Sequence, residues 1–179
     1  ADKKASFMNK KINIKAIEKK FDFKISNKQN FIEYSPLGLK YLKDIFKFIK
    51  KNKGGLLIID CGYYANKMKD TLQAIYKQKH SKVLENIGKS DITYNLNFCL
   101  IKKFVQNFKE LNINFTTQKK FLIKLGIEQR AEIISRNKTF IEKADIFYRL
   151  KRLIDEKEMG DLFKVMLIKN LSNNSQIGF

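Results

Sequence analysis

GGLLIIDCGYY, residues 54–64, decides how this chain is read. Two glycines lead into an unbroken apolar run, which ends in Asp60, Cys61, Gly62 and Tyr63. Just upstream, Ser35-Pro36 suits a helix start, with serine as N-cap and proline at the first helical position. Leu42, Ile45, Phe46 and Ile49 then keep one helical face apolar. Lys50, Lys51 and Lys53 complement the dipole at the helix end, and Gly54-Gly55 stops it. A continuous apolar run after a helix and a glycine break predicts a strand over 56–59 covered on both faces, as in a parallel sheet. Helix followed by buried strand is half of a doubly wound α/β unit, and such sheets bind ligands beyond the carboxyl ends of their strands. Asp60 stands at that end. Two readings of it stay open: a functional carboxylate, or an aspartate that caps the next turn.

Outward from this stretch the pattern alternates. Residues 12–23 are weakly amphipathic and 31–34 suggest a short strand. Residues 61–96 have little periodicity but hold Asp70, Thr71, Gln73, His80, Asp91 and Thr93. Ile101, Phe104, Val105 and Phe108 mark a helix over 98–111, and 113–117 reads as a strand. Short helical patterns follow at 121–125, closed by Gly126, and at 127–136. Over 139–154 a longer helix is expected, with Phe140, Ala144, Phe147 and Tyr148 inward. Met159-Gly160 reads as a turn, 162–168 as a final strand and 171–179 as a frayed tail.

The 179 residues suffice for a domain with a core, and 44% hydrophobic content with 15 Phe argues against disorder. No apolar run is long enough to span a bilayer, and no signal-peptide pattern is present. The first residue is Ala1, so a processed chain or a fragment is expected. Cys61 and Cys99 form neither a disulfide framework nor metal-ligand spacing, and the lone His80 builds no zinc site. The net charge of +19 suggests a polyanion partner, but it is nearly all lysine and spread along the chain. Arginine, which suits bidentate phosphate and base contacts, occurs only at Arg130, Arg136, Arg149 and Arg152. No specific nucleic-acid partner is therefore expected, and any polyanion binding should be weak and salt-sensitive.

The motif scan is sparse: no glycine-rich phosphate loop, no nucleophile elbow and no histidine pair. A series of short motifs is more specific. Residues 54–74 resemble G-G-x-x-L-x-I-D-Y-G-Y followed by D-T-L-Q-A. After them His80 stands where a histidine follows a D-T-L-Q-A helix, Gly88–Thr93 is similar to P-G-x-A-D-L-T, and Asn97-Phe98 to Asp-Phe. Residues 117–127 resemble T-Q-x-x-F-L-x-x-L-G-I, Arg130 follows, and 159–165 are similar to M-G-x-x-F-K-V. Upstream, Ile32-Glu33-Tyr34-Ser35-Pro36 resembles V-E-V-S-P. These motifs, in order over about 31–168, resemble the MidA-type methyltransferases, the mitochondrial complex I assembly methyltransferases and their bacterial relatives. Cys61 departs from the usual tyrosine and Asn97 from aspartate.

The resemblance implies an α/β fold: the C-terminal part of a Rossmann-like class I methyltransferase sheet with a helical substrate-side insertion. It implies S-adenosylmethionine as cofactor and arginine on a protein partner as acceptor, in the bacterial cytoplasm or the mitochondrial matrix. The family's E-x-G-x-G and N-E-x-x-D-A-x-P stretches are absent, so the cofactor site is expected mostly outside this chain. The missing N-terminal half would then be a partner, and the chain by itself inactive. The expected regions are 1–60, the end of the sheet; 61–128, the insertion; and 129–179, closing helices and final strand. Asp60 and Asp91 are the candidate catalytic carboxylates, orienting or deprotonating the acceptor nitrogen, since an Asp–guanidinium pair is bidentate and charge-assisted. Gly62, Tyr63, Asp70, Thr71, His80 and Thr93 are the candidate substrate-binding residues. Gly62 would allow close backbone approach or positive φ, and Tyr63 offers a flat face and a hydroxyl. Capping and turn chemistry accounts equally for Asp70, Asp91 and Thr93. Two rival functions are a basic nucleic-acid-binding module and a non-catalytic interaction domain. An uncovered sheet edge would predict poor solubility.

Overall fold

A computed structural model describes residues 5–25, 29–174 and 176–179. The elements are α1 (Ile14–Phe21), α2 (Pro36–Asn52), β1 (Gly55–Tyr63), β2 (Gln73–Tyr76), β3 (Lys79–Ser81), β4 (Asp91–Thr93), β5 (Leu96–Asn97), α3 (Phe98–Val105), β6 (Leu111–Thr117), α4 (Gln118–Lys124), α5 (Ile127–Ser135), α6 (Phe140–Ile154), α7 (Met159–Leu162) and β7 (Phe163–Asn170). The chain divides into two compact units, residues 1–36 with 66–95, and residues 37–65 with 96–179. These junctions differ from the expected boundaries at 60 and 128.

The larger unit is α/β, with a mixed sheet in the order β5-β1-β7-β6. β7 lies antiparallel between β1 and β6, so those two run the same way, and β5 pairs parallel with β1 at Gly62↔Leu96 and Tyr63↔Asn97. Register puts Ile58, Met166 and Phe115 in one row on one face of the sheet. α3 lays Phe98 on that row, its ring 5.6 Å from Phe115. α2 packs onto α3 through Phe46, 6.0 Å from the Phe104 ring and 5.1 Å from Phe108. Phe46, Phe98, Phe104, Val165, Met166 and Ile168 are fully buried, each worth about 1.5–3 kcal/mol of transfer free energy.

Several expectations change. β1 is not covered on both faces: Leu57 and Ile59 are 46% and 49% exposed. β1 also runs on to Tyr63, so Asp60 sits within the strand, opposite Lys164. The left-handed residue after α2 is Lys53 (φ 55), not either glycine. Residues 31–34 form no strand, α3 stops at Val105, and Met159-Gly160 opens α7 rather than a turn. Phe140, Ala144, Phe147 and Tyr148 point outward; the less exposed side of α6 carries Ile146, Leu150, Leu153 and Ile154. α6 thus bears two apolar stripes, which helical period alone does not rank. The end of the tail is packed: the Phe179 ring stands 5.3 Å from Phe121, and buried Gly178 (φ 84) leaves no room for a side chain beside that ring.

In the smaller unit, Asn13 caps α1 by accepting from the Ala16 N–H (3.0 Å), and Glu18 accepts from the Ile25 N–H (2.7 Å). The second sheet has the order β3-β2-β4, antiparallel throughout. Lys77 and Gln78, both at positive φ, make the two-residue turn that the right-handed twist of a hairpin requires. The D-T-L-Q-A segment is therefore an extended lead into β2 and not a helix. Among the described residues no helix is long and apolar enough to cross a membrane.

Candidate functional site

The candidate residues fall into two sets, one in each unit. In the larger unit, Asp60 is exposed, and its Oδ1 accepts from the Cys61 N–H (2.7 Å). Lys164, opposite it in register, gives its ammonium to the Asp161 side chain (2.8 Å) and carbonyl instead. Among the described residues Asp60 has no ion-pair partner. Burial, and next the Asp60 charge, push the Cys61 thiol above its ordinary range, while its own backbone N–H pulls the other way. A thiol kept protonated at neutral pH is a poor nucleophile.

Gly62 has a packing role. A Cβ there would lie 2.4 Å from the Leu96 carbonyl oxygen and 2.6 Å from the Phe98 ring. Its φ is not positive, so of the two reasons for a glycine only close approach applies. What approaches is the chain's own β5–α3 junction. Tyr63 ends β1 half-buried, and the next residue, Tyr64, stacks on Phe115 (4.9 Å) with the Lys102 ammonium 5.7 Å from its ring centroid. An aromatic face that already seats a cation thus stands a few residues from an unpaired carboxylate.

In the smaller unit, register gathers three candidates on one face. His80 and Asp91 lie on either side of Ile75, and Thr93 is opposite Gln73. Ala74, fully buried, points to the other face with Ser81 and Ile92. Two strand spacings separate His80 from Asp91, about 10 Å, too far for a hydrogen-bonded acid–base dyad. Asp70 is exposed in the segment before β2.

Thr71 is a structural anchor. Its hydroxyl donates to Glu33 Oε2 (2.5 Å), its N–H to Glu33 Oε1 (3.3 Å), and its oxygen accepts from the Asn95 N–H (2.9 Å). Glu33, not among the predicted site residues, holds this segment and accepts two hydrogen bonds at once. The only sequence signal was its place in Ile32-Glu33-Tyr34-Ser35-Pro36, an acid between apolar residues before a helix. Nearby Tyr34 is pushed above its ordinary range by burial and then by the Glu18 charge.

The residues present do not fit a cradle for S-adenosylmethionine. Among the described residues no strand runs through a glycine-rich turn into an open helix N-terminus, the arrangement that holds nucleotide cofactors in such sheets. The helix after β5 is closed by the chain itself: Asn97 Oδ1 accepts from the N–H groups of Cys99 (3.0 Å) and Leu100 (3.2 Å). Asn97, where the resemblance implies aspartate, is thus a helix cap. Among the described residues no cluster of His, Cys, Asp or Glu could hold a metal ion.

Known proteins give the same frame. Residues 2–116 match the family described as "Putative S-adenosyl-L-methionine-dependent methyltransferase", and the chain belongs to that family. Two crystal structures of superfamily proteins from Burkholderia thailandensis share the fold. One, uncharacterized, is 23% identical with a TM-score of 0.59, the match covering 75% of this chain and 39% of that one. The other, bound to S-adenosyl-homocysteine, is 22% identical with a TM-score of 0.58, covering 76% and 38%. The chain spans about two-fifths of the length of these relatives.

Proposed function

We propose that this chain forms the acceptor side of an S-adenosylmethionine-dependent methyltransferase, of the MidA type, that modifies arginine on a protein partner. The observation that carries the reading is the exposed Asp60 carboxylate, without an ion-pair partner among the described residues, three residues before Tyr63 on the same strand and four before Tyr64. A guanidinium pairs with carboxylate through two parallel N–H donors and stacks on aromatic faces, which a lysine ammonium does not do equally. Methyl transfer needs the acceptor nitrogen aimed at the sulfonium methyl and relieved of a proton. Asp60 would orient the guanidinium and take up that proton. The cofactor would be held by residues outside those described here. The expected setting is respiratory complex I assembly, in the bacterial cytoplasm or the mitochondrial matrix.

The test is transfer of labelled methyl from S-adenosylmethionine to arginine-containing and lysine-containing peptides. It is run with this chain alone and mixed with a polypeptide carrying the family's cofactor-binding portion. Label should appear as methylarginine in the mixture, and Asp60→Asn should lower the rate at least a hundredfold. Methyllysine, label in nucleic acid, or an Asp60→Asn rate equal to wild type would refute the assignment. No transfer in either case would favour an interaction domain.

A further inference from the structure

The positive charge of this chain is carried almost entirely by lysine. Of its 37 lysines and arginines four are arginine, and all four fall within residues 130–152. Arg130 lies on α5, Arg136 is the C-cap of that helix, and Arg149 and Arg152 lie on α6. The same hairpin carries the outward stripe of α6, where Phe140, Ile141 and Tyr148 are 86%, 80% and 63% exposed. Helical spacing sets Ile141, Asp145, Tyr148 and Arg152 in one line along the helix. Beside that line a groove of about 270 Å³ runs between α5 and α6. Buried Ala131 and half-buried Ile146 and Leu150 line it, with exposed Arg130 and Arg149 at its rim. Asp145 belongs to both the line and the groove, so the two are continuous. Both acids of α6 are already engaged, Glu142 by Thr139 and Lys138 and Asp145 by Arg149 (2.9 Å). Arg130 and Arg152 have no ion-pair partner among the described residues.

We infer that the α5–α6 hairpin is a docking surface for an acidic, apolar segment of a separate protein. Apolar side chains of that segment enter the groove and cover Ile141 and Tyr148, while its carboxylates pair with Arg130, Arg149 and Arg152. Charge complementarity selects an acid, and the use of arginine selects a carboxylate held in fixed geometry. The guanidinium fork takes a carboxylate through two parallel N–H donors, which an ammonium cannot do. A lipid surface responds to the number of cations near it, and lysine would serve it as well. A nucleic-acid backbone could pair with the arginines but has no apolar side chain for the groove. A second copy is disfavoured because each chain carries +19, and like net charge of that size opposes self-association. Protein interfaces are enriched in tyrosine and arginine and depleted of lysine, and those two residue types carry much of the binding energy. The Arg149–Asp145 pair is exposed and one helical turn apart, so it contributes little and an incoming carboxylate can share or replace it. None of these residues belongs to the Asp60 site, so docking here is independent of methyl transfer.

The test pans a displayed library of short random peptides against the full chain at physiological salt. Enriched peptides should interleave Asp or Glu with Leu, Ile or Phe, and the best of them, made synthetically, should bind the chain in calorimetry. The triple variant Arg130→Lys, Arg149→Lys, Arg152→Lys keeps the net charge, so any loss reads geometry rather than attraction to lysine. It should weaken the peptide about tenfold or more and leave the melting temperature unchanged. Tyr148→Ala, also at the surface, should weaken it about tenfold. Four results overturn the inference. They are a selection without acidic, apolar peptides; equal peptide affinity in the triple variant and in Tyr148→Ala; a triple variant that loses a single-stranded oligonucleotide or phosphatidylglycerol vesicles more than the peptide; and a chain that sediments as a dimer which the triple variant breaks.

Discussion

Alanine at position 62 should be far more damaging than alanine at position 55, although both glycines belong to β1. At Gly62 the added methyl would meet the Leu96 carbonyl oxygen at 2.4 Å and two carbons of the Phe98 ring at 2.6 and 2.8 Å. Ordinary contact begins near 3.4 Å, so something must move by about 1 Å. The neighbour on one side is backbone of β5, paired to this very residue, and on the other a fully buried ring that also packs on Phe115. Neither is the far end of a flexible side chain. Overpacking of this kind costs about 1–3 kcal/mol and occasionally more, and the rigid surroundings place Gly62→Ala near 3. At roughly 2–4 °C per kcal/mol for a domain of this size, the melting temperature should fall by about 6–12 °C. At Gly55 the closest atom to an added methyl is 3.4 Å away, and φ is not positive. Gly55→Ala should therefore lie within about 0.5 kcal/mol of wild type, or gain slightly from a stiffer unfolded chain. Urea denaturation of the two variants side by side gives the answer. Equal stabilities would mean that the β5–α3 junction yields freely and that Gly62 has no packing role.

Four further outcomes follow from local geometry. Thr139 and Glu142 form a reciprocal capping box at the start of α6, and Thr139→Ala should cost about 1 kcal/mol by thermal melting. The Thr139 backbone N–H, the Lys138 ammonium and the Thr139 hydroxyl hold Glu142 down at about 2. Because that value is lowered, its contribution to stability is whole above pH 4.5 and is lost as pH falls from there toward 2; Glu142→Gln should flatten that stretch of the melting-temperature profile. Lys53 holds a left-handed conformation that costs an L-residue about 1–2 kcal/mol, so Lys53→Gly should raise stability by roughly 1 kcal/mol in denaturant melts. Thr71→Val removes the hydroxyl that binds the Glu33 carboxylate and should cost about 1.5–3 kcal/mol in the same melts, whereas Thr71→Ser should recover most of it.

The periodic segments were legible in sequence because their cues are local. The helix from Pro36, the apolar strand after it, the Thr139 start of α6 and the last strand all declare themselves within a few residues. What failed was non-local. The turn between β2 and β3 uses Lys77 and Gln78 where glycine or asparagine would have announced a hairpin, so the hairpin went unread in a stretch of little periodicity, and the helix expected there came only from the resemblance. An unbroken apolar run at 56–59 looks the same whether both flanks are covered or only one. The two stripes of α6 are separated only by what α5 and α4 bring against them. Within the candidate site, Asp60 was singled out by its place at the end of an apolar run, although the strand runs three residues past it. Thr71 and Glu33 needed the fold, since their partnership spans 38 positions. Gly62 and Asn97 were noticed through motif positions, and their shared role at one junction shows only when β1 and β5 are laid side by side.

The position of β7 has a consequence for how the chain comes to exist. The latest in sequence of this sheet's four strands lies in its middle, and β1 and β6 touch it but not each other. Asn170 at its end donates to the Lys50 carbonyl across 120 positions. On the ribosome, then, β1 and β6 emerge before β7 and must wait, β6 unpaired and β1 held only by the short β5, until β7 clears the exit tunnel and slots between them. Contacts this distant in sequence form slowly, and strands left waiting are open to wrong partners. A stop codon that removed only 163–179 would delete a small part of the mass, leave β6 with no neighbour and leave β1 only the two-residue β5. Every misfolding route of the larger unit should therefore converge on this one late insertion, and chaperone dependence should concentrate there.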